Sequence, residues 1–321
     1  MQLWYLGIDV AKAKLDCALR QPDGKHRHKV FDNNLTGFAS LHAWLLQYEV
    51  TELHACMEAT GVYWEDVAEY LANHGHIVSV VNPLQIKAFG ASRLVRTKTD
   101  KVDAKLIAEF CKENRPEAWK APSLQEQALR AMVLRLDALQ EMRTQESNRL
   151  AVAREVVKDE ISSHVEWLDK EIKALARKIR DSIDDDPDLK ERKALLESIP
   201  GVGERTISLL LAFKLTPDRF KNARQVTAYA GLDPRQHESG SSVRGKPHIS
   251  RFGHGVIRKL LYMPAMCTLY RTTWARPFLE RLTRNGKKPM TIIVAMMRKL
   301  LHVAFGVLKA GEKFNPALYT A

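Results

Sequence analysis

Apolar and polar positions alternate at strand length through the first 120 residues, and helical spacing takes over afterwards. WYLGIDV reads as an apolar strand that ends on an aspartate. KLDCALRQ alternates, and PDG turns the chain into HRHKVFDN, so three strands form a meander. Phe38, Leu41, Leu45 and Tyr48 then recur at helical spacing. ELHACMEA is another alternating strand, closed by Thr60-Gly61, and a helix runs through Trp64 to Asn73. HIVSVV is a continuous apolar strand stopped by Asn82-Pro83. Two further helical stretches follow, the second being TDKVDAKLIAEFCKEN. The order βββαβαβα predicts an α/β domain with a mixed sheet over residues 1–120.

Residues 121–198 carry only helical spacing. Ile161, Val165, Leu168, Ile172, Leu175 and Ile179 step by four and three, a heptad seam with many charged flanks. Asp184-Asp185-Asp186-Pro187 breaks the run, and LKERKALLESI resumes as a helix returning toward the first. This predicts an antiparallel hairpin or coiled-coil arm, with a bundle inside one compact domain as the alternative. Residues 199–321 read as mostly helical, with a Gly-x-Gly hairpin in IPGVGERTISLLLAF. A polar loop, HESGSSVRGKPHISRFGHG, precedes two apolar helical runs around Leu260–Tyr270 and Thr291–Leu308.

Charge sharpens this division. The net charge is +12, yet residues 1–120 hold 15 basic and 15 acidic side chains and residues 121–200 hold 14 and 17. Residues 201–321 hold 21 and 6, so the whole excess lies in the last third. A field of one sign on one domain points to a polyanionic partner, nucleic acid first. Four scattered cysteines, no CxxC pair, no basic-then-apolar leader and no apolar run near bilayer length give the expectation of a cytoplasmic chain that spans no membrane.

Four carboxylates stand where an α/β sheet builds sites. Asp9 and Glu58 end strands, and Asp100 and Asp103 share one helix face at i, i+3. Converging acids repel, and oxygen-loving divalent cations relieve that repulsion while activating a phosphodiester. Each acid also has a plain reading: Asp9 as a turn cap, Asp100 as a first-turn acid, DxxD as a solvated helix face. Gly201 and Gly203 present backbone N–H groups to a phosphate or make an ordinary interhelical turn. Arg244, Lys246 and Arg251 border the serine-rich loop and suit phosphate clamping or plain solvation, and Arg284, Lys287 and Lys288 connect the last two helices. The pairs His26/His28 and His74/His76 have no third ligand in frame and read as surface residues.

GIDVAKAKLD, EATGVYW and KTDKVDAKLIAEF together resemble the N-terminal domain of the DEDD transposases, the insertion-sequence family numbered one hundred and ten, which includes the Piv-type DNA invertases. AYAGLDPRQHESGSSVRGKPHISRFGHGVIRKLLY resembles the C-terminal domain of the same family, with Arg251 where lysine is more usual. The resemblance implies a RuvC-like RNase H fold whose acids Asp9, Glu58, Asp100 and Asp103 hold Mg2+. It implies a nucleophilic serine at Ser239, before Gly240, that attacks a DNA phosphate and leaves a phosphoserine link. The neighbours Ser241 and Ser242 are set aside on the family motif alone. It further implies a structured bridge RNA pairing with target and donor double-stranded DNA, and a homotetramer built as a dimer of dimers. The expected activity is therefore an RNA-guided DNA recombinase, cytoplasmic and nucleoid-associated when acting. Alternatives are a metal-dependent junction nuclease using water, an RNA-independent site-specific invertase, an architectural DNA binder, and a phosphotransferase of the actin and sugar-kinase type suggested by GIDVAK.

Overall fold

A computed structural model describes residues 3–95, 97, 99–235, 238–239, 243–244, 248–250 and 252–318, with the backbone alone at 238–239 and 243–244. The chain divides into two compact units, Met1–Pro122 and Ser123–Ala321. The second includes the helices expected as a separate arm.

The first unit is a five-stranded mixed sheet with helices on both faces. Its elements are β1 (Trp4–Val10), β2 (Lys14–Arg20), β3 (His26–Asp32), α1 (Leu35–Leu46), β4 (Leu53–Glu58), α2 (Glu65–Asn73), β5 (Ile77–Val81), α3 (Pro83–Ser92) and α4 (Asp100–Asn114). The strand order is β3-β2-β1-β4-β5. The meander β1-β2-β3 is antiparallel, while β1, β4 and β5 run parallel. This matches the mixed α/β sheet expected of an RNase H-like domain.

Alternation along the strands feeds two cores. Leu6, Ile8, Leu15, Cys17, Leu19, Ala55 and Met57 pack with Phe38, Leu41 and Leu71 of α1 and α2. On the other face Tyr5, Cys56 and Val81 pack with Ile86 of α3 and Ile107, Phe110 and Cys111 of α4. Gly7 lets α4 lie against β1. A Cβ at that position would stand 2.0 Å from the Ala104 carbonyl oxygen and 2.4 Å from the Ala108 nitrogen.

The second unit holds α5 (Leu124–Val152), α6 (Glu155–Asp184), α7 (Pro187–Glu197), α8 (Glu204–Ala212), α9 (Ala223–Tyr229), α10 (Gly255–Arg271), α11 (Arg276–Arg284) and α12 (Pro289–Ala310). Among the described residues, four two-residue strands lie between α9 and α10: β6 (Pro234–Arg235), β7 (Glu238–Ser239), β8 (Val243–Arg244) and β9 (His248–Ile249). α5 and α6 form an antiparallel hairpin, since Arg143 pairs with Asp169 at 3.1 Å while His164 faces back toward Glu146 at 3.9 Å. Its turn is Ala153-Arg154, both in extended backbone, well before the aspartate run. No glycine or proline marks that turn, so composition hides it. Of the heptad seam, Leu168 and Ile179 are buried while Ile161, Val165, Ile172 and Leu175 are half-buried.

α12 is long and apolar enough by length and composition to cross a membrane. More than half of that stretch is buried within the unit. Ile292, Met296, Leu300, Val303 and Val307 enter the core together with Leu261, Ala265 and Leu269 of α10.

Candidate active site

The parallel strands β1 and β4 end side by side, which places Asp9 and Glu58 next to each other. Ile8 pairs with Met57, so the following residues are neighbours, and both lie on the α4 face with Gly7 and Cys56. Across the antiparallel ladder Asp9 is directly opposite Asp16 of β2, whose side chain shares that face. Because Gly7 admits the Ala104 turn of α4, the turn before it reaches the strand ends. That turn carries Asp100 and Asp103, with Thr99 capping the helix through its hydroxyl and the Val102 N–H at 3.3 Å. First-turn acids sit favourably against the helix dipole.

Electrostatics places three of the four predicted acids, and Asp16, within reach of each other. Asp9 is pushed up to about 6, first by burial and then by the charges of Asp100, Asp103 and Asp16. Lys14 relieves part of this. Its Nζ donates to Asp100 Oδ2 at 2.6 Å and lies 3.0 Å from Asp16 Oδ2. Those two carboxylates, Asp100 first, hold the lysine above its ordinary range.

Asp16 is 5% exposed, and the His28 Nε2 stands 3.1 Å from its Oδ1. Neither Asp16 nor Lys14 was singled out by the sequence. They sit two apart on an alternating strand, and only the register with Asp9 reveals them. Asn33 is a third such residue. Its Nδ2 donates to the Ala11 and Tyr63 carbonyls at 2.9 and 3.0 Å, tying the β1–β2 turn to the loop that follows Glu58. His26 and His28 are half-buried partners of carboxylates rather than free surface residues, His26 facing Glu109 at 3.0 Å.

The donor set at this edge is carboxylate oxygen, the chemistry that suits hard divalent cations, and Lys14 relieves part of its repulsion. Among the described residues no three His, Cys, Asp or Glu side chains already surround a single point. The acids fit such an ion by type and convergence.

In the second unit Ser239 lies on β7, and its backbone pairs with Val243 of β8 while Glu238 pairs with Arg244. Below them Pro234 pairs with Ile249 and Arg235 with His248. The described residues of the expected polar loop therefore pair in two short ladders. Gly240, Ser241, Ser242, Lys246 and Arg251 lie outside the described residues, as do the side chains of Ser239 and Arg244.

The foot of these ladders is fixed to the helices. Thr227 Oγ1 donates to Asp233 Oδ1 at 2.8 Å, and the Ser250 N–H donates to the Asp233 carbonyl at 2.8 Å. Gly253 permits a close crossing, since a Cβ there would stand 2.3 Å from the Tyr229 carbonyl oxygen. His254 then packs between Phe213 and Tyr229, and its burial pushes it down to about 4.

The remaining basic and glycine positions fall apart from these ladders in sequence. Gly201 has φ +98° and a packing reason of its own, because a Cβ would meet Thr268 Oγ1 at 2.1 Å. Gly203 is the exposed N-cap of α8. Arg284, Lys287 and Lys288 are all exposed in the connection from α11 to α12.

Two family models match the chain. The DEDD transposase model of the IS110 family covers residues 6–153, and a model described as "Transposase IS116/IS110/IS902 family" covers residues 193–280. The pilin gene-inverting protein of Moraxella bovis is 33% identical over 322 residues, spanning 99% of this chain and 100% of that protein. This chain belongs to the IS110 family of DEDD transposases.

Within that family, the transposase for insertion sequence element IS1328 of Yersinia enterocolitica is 24% identical over 286 residues, covering 78% of this chain and 82% of its own. Membership makes the chain a DNA-cleaving and rejoining enzyme of the transposase and invertase class. A DEDD transposase typically implies a divalent metal, in keeping with the all-oxygen donor set around Asp9.

Proposed function

We propose that this transposase is an RNA-guided DNA recombinase that exchanges strands through a phosphoserine at Ser239. The observation that carries the reading is the convergence of acids on Asp9, opposite Asp16 and beside Glu58, with Asp100 and Asp103 brought in by α4. Asp9, Glu58, Asp100 and Asp103 hold the divalent cation, Mg2+ on this reading. When bound it supplies charge neutralisation on the scissile phosphate and favours an ionised attacking oxygen.

The chain's own residues do the rest. The Ser239 oxygen attacks phosphorus as its proton passes to a general base, and the bond to one deoxyribose oxygen breaks, that oxygen taking up a proton. The diester is conserved as phosphoserine, so rejoining to a new strand needs no high-energy cofactor. Arg244, Lys246 and Arg251 hold the phosphates beside the serine, and Arg284, Lys287 and Lys288 grip nucleic-acid backbone. Gly201 and Gly203 belong to a helix-hairpin-helix-like element that lies along a phosphate. The heptad seam of α6 supports reading residues 121–198 as a coiled-coil arm that serves as a dimer contact, with two dimers pairing as a tetramer on target and donor DNA. Sequence choice rests with a structured bridge RNA, and the enzyme acts in the cytoplasm, on the nucleoid.

The test expresses the chain with its native flanking DNA, scores recombination and sequences RNA retained under stringent salt. Asp9→Ala and Ser239→Ala each abolish strand exchange and keep nucleic-acid binding, and one abundant structured RNA from the flank copurifies. Normal exchange by the Ser239→Ala protein sinks the nucleophile. The full-length likeness to a pilin gene-inverting protein favours a second reading, an invertase that reads DNA without RNA. Tight binding to one DNA sequence with no enriched RNA selects it.

A further inference from the structure

The sequence gives His74-x-His76 no third ligand, but the fold brings one. His42, on α1, packs against both, its ring centroid 4.5 Å from that of His74 and 5.9 Å from that of His76. His74 closes α2 and His76 precedes β5, so three separate pieces of the first unit meet there. We propose that His42, His74 and His76 bind a divalent transition metal of the zinc type, which ties α1 to the connection between α2 and β5.

Two observations support this assignment. First, His42 Nδ1 and His76 Nε2 are shielded from solvent and have no hydrogen-bond partner among the described residues. A buried imidazole nitrogen without a partner costs stability, and a metal ion is one group that satisfies it. Second, the Nδ1 of His74 lies 2.7 Å from the Tyr70 carbonyl oxygen. Donation to that carbonyl fixes the tautomer and leaves Nε2 with its lone pair, the arrangement usual for a metal-bound histidine. Tyr70 also stacks on the His74 ring at 4.2 Å and so holds its orientation.

The three side chains do not already stand in coordinating geometry. Three imidazole nitrogens about 2.0–2.1 Å from one ion in tetrahedral array set ring centroids ~5 Å apart. The His42–His74 and His42–His76 separations bracket that spacing, and the ion would complete the site by drawing the rings into place. Three nitrogen donors favour zinc, cobalt, nickel or copper over magnesium, which keeps this site distinct from the carboxylates around Asp9.

The experiment uses the full-length chain stripped with EDTA and held in millimolar Mg2+, with Co2+ as the spectroscopic probe. The expected result is one Co2+ per chain with the visible absorption of a four- or five-coordinate nitrogen site, displaced by Zn2+. Zn2+ at ~100 times its Kd raises the unfolding midpoint by several degrees. His74→Ala, an exposed position, and His42→Gln each weaken Co2+ binding at least tenfold and remove the Zn2+ shift, while His26→Gln leaves both unchanged. Absence of the band and of the shift in the parent protein overturns the proposal. So does a band that persists in both His74→Ala and His42→Gln.

Discussion

Burial, followed by the charges of Asp100, Asp103 and Asp16, opposes ionisation of Asp9 more than Lys14 favours it, and this has a measurable consequence. Its carboxyl titrates near 6 in the folded chain, against about 3.9 in an unfolded one. The folded state therefore binds more protons between those values, and ionising Asp9 lowers stability as pH rises from 4 to 6. In EDTA, Asp9→Asn should stabilise the protein at pH 7 by about 1–2 kcal/mol, allowing for solvent screening of a half-exposed group, with no gain at pH 4. Urea unfolding at the two pH values checks this, and an equal effect at both contradicts it. Lys14→Gln should act the other way and destabilise at pH 7, because it removes the cation between Asp100 and Asp16.

At this scale the sequence showed where acids end strands, since Asp9 and Glu58 close apolar runs at turns. It did not show Asp16, Lys14 or Asn33, which reach the same edge through strand register and a loop contact. His42 was hidden for the same reason. Its neighbours His74 and His76 lie more than thirty positions away and meet it only in the fold.

At the scale of elements, Gly7 decides whether α4 delivers its acids. Gly7→Ala would press a methyl group into the Ala104 carbonyl, lift α4 from β1 and cost about 2–3 kcal/mol. Thermal unfolding should register that loss, and Asp9 should titrate closer to an ordinary aspartate by NMR as Asp100 and Asp103 withdraw. An unchanged titration would detach the helix from the acid cluster. In the second unit Asp137 of α5 is 7% exposed and takes Arg205 of α8 and Lys259 of α10, each at 2.7 Å. Asp137→Asn leaves two cations facing a neutral amide and should cost about 1–2 kcal/mol by urea unfolding, since both cations are partly solvated.

Strands and most helices of the first unit follow from alternation and turn residues because each lies half-buried against a two-sided sheet. The α5–α6 turn does not, because Ala153-Arg154 leaves the helix by backbone angle alone in a solvated stretch. The short ladders between α9 and α10 escaped for a different reason. Two-residue strands are too brief to show any period.

For the whole molecule, a nearly neutral first third carries the acids, and a strongly basic last third carries the serine ladder and the exposed Arg284, Lys287 and Lys288. That partition suits an enzyme that acts on a polyanion, since the basic last third can hold phosphates that carboxylates would repel. The most direct test of this account is capture of the covalent intermediate. The purified transposase, with whatever RNA it retains and a divalent cation, is incubated with end-labelled DNA spanning the junction of its own element, then denatured and resolved by size. The account predicts a labelled protein–DNA adduct whose linked peptide contains Ser239, absent from Ser239→Ala and from Asp9→Asn. An adduct of undiminished yield in Ser239→Ala, or DNA cleavage with no adduct at all, would contradict it.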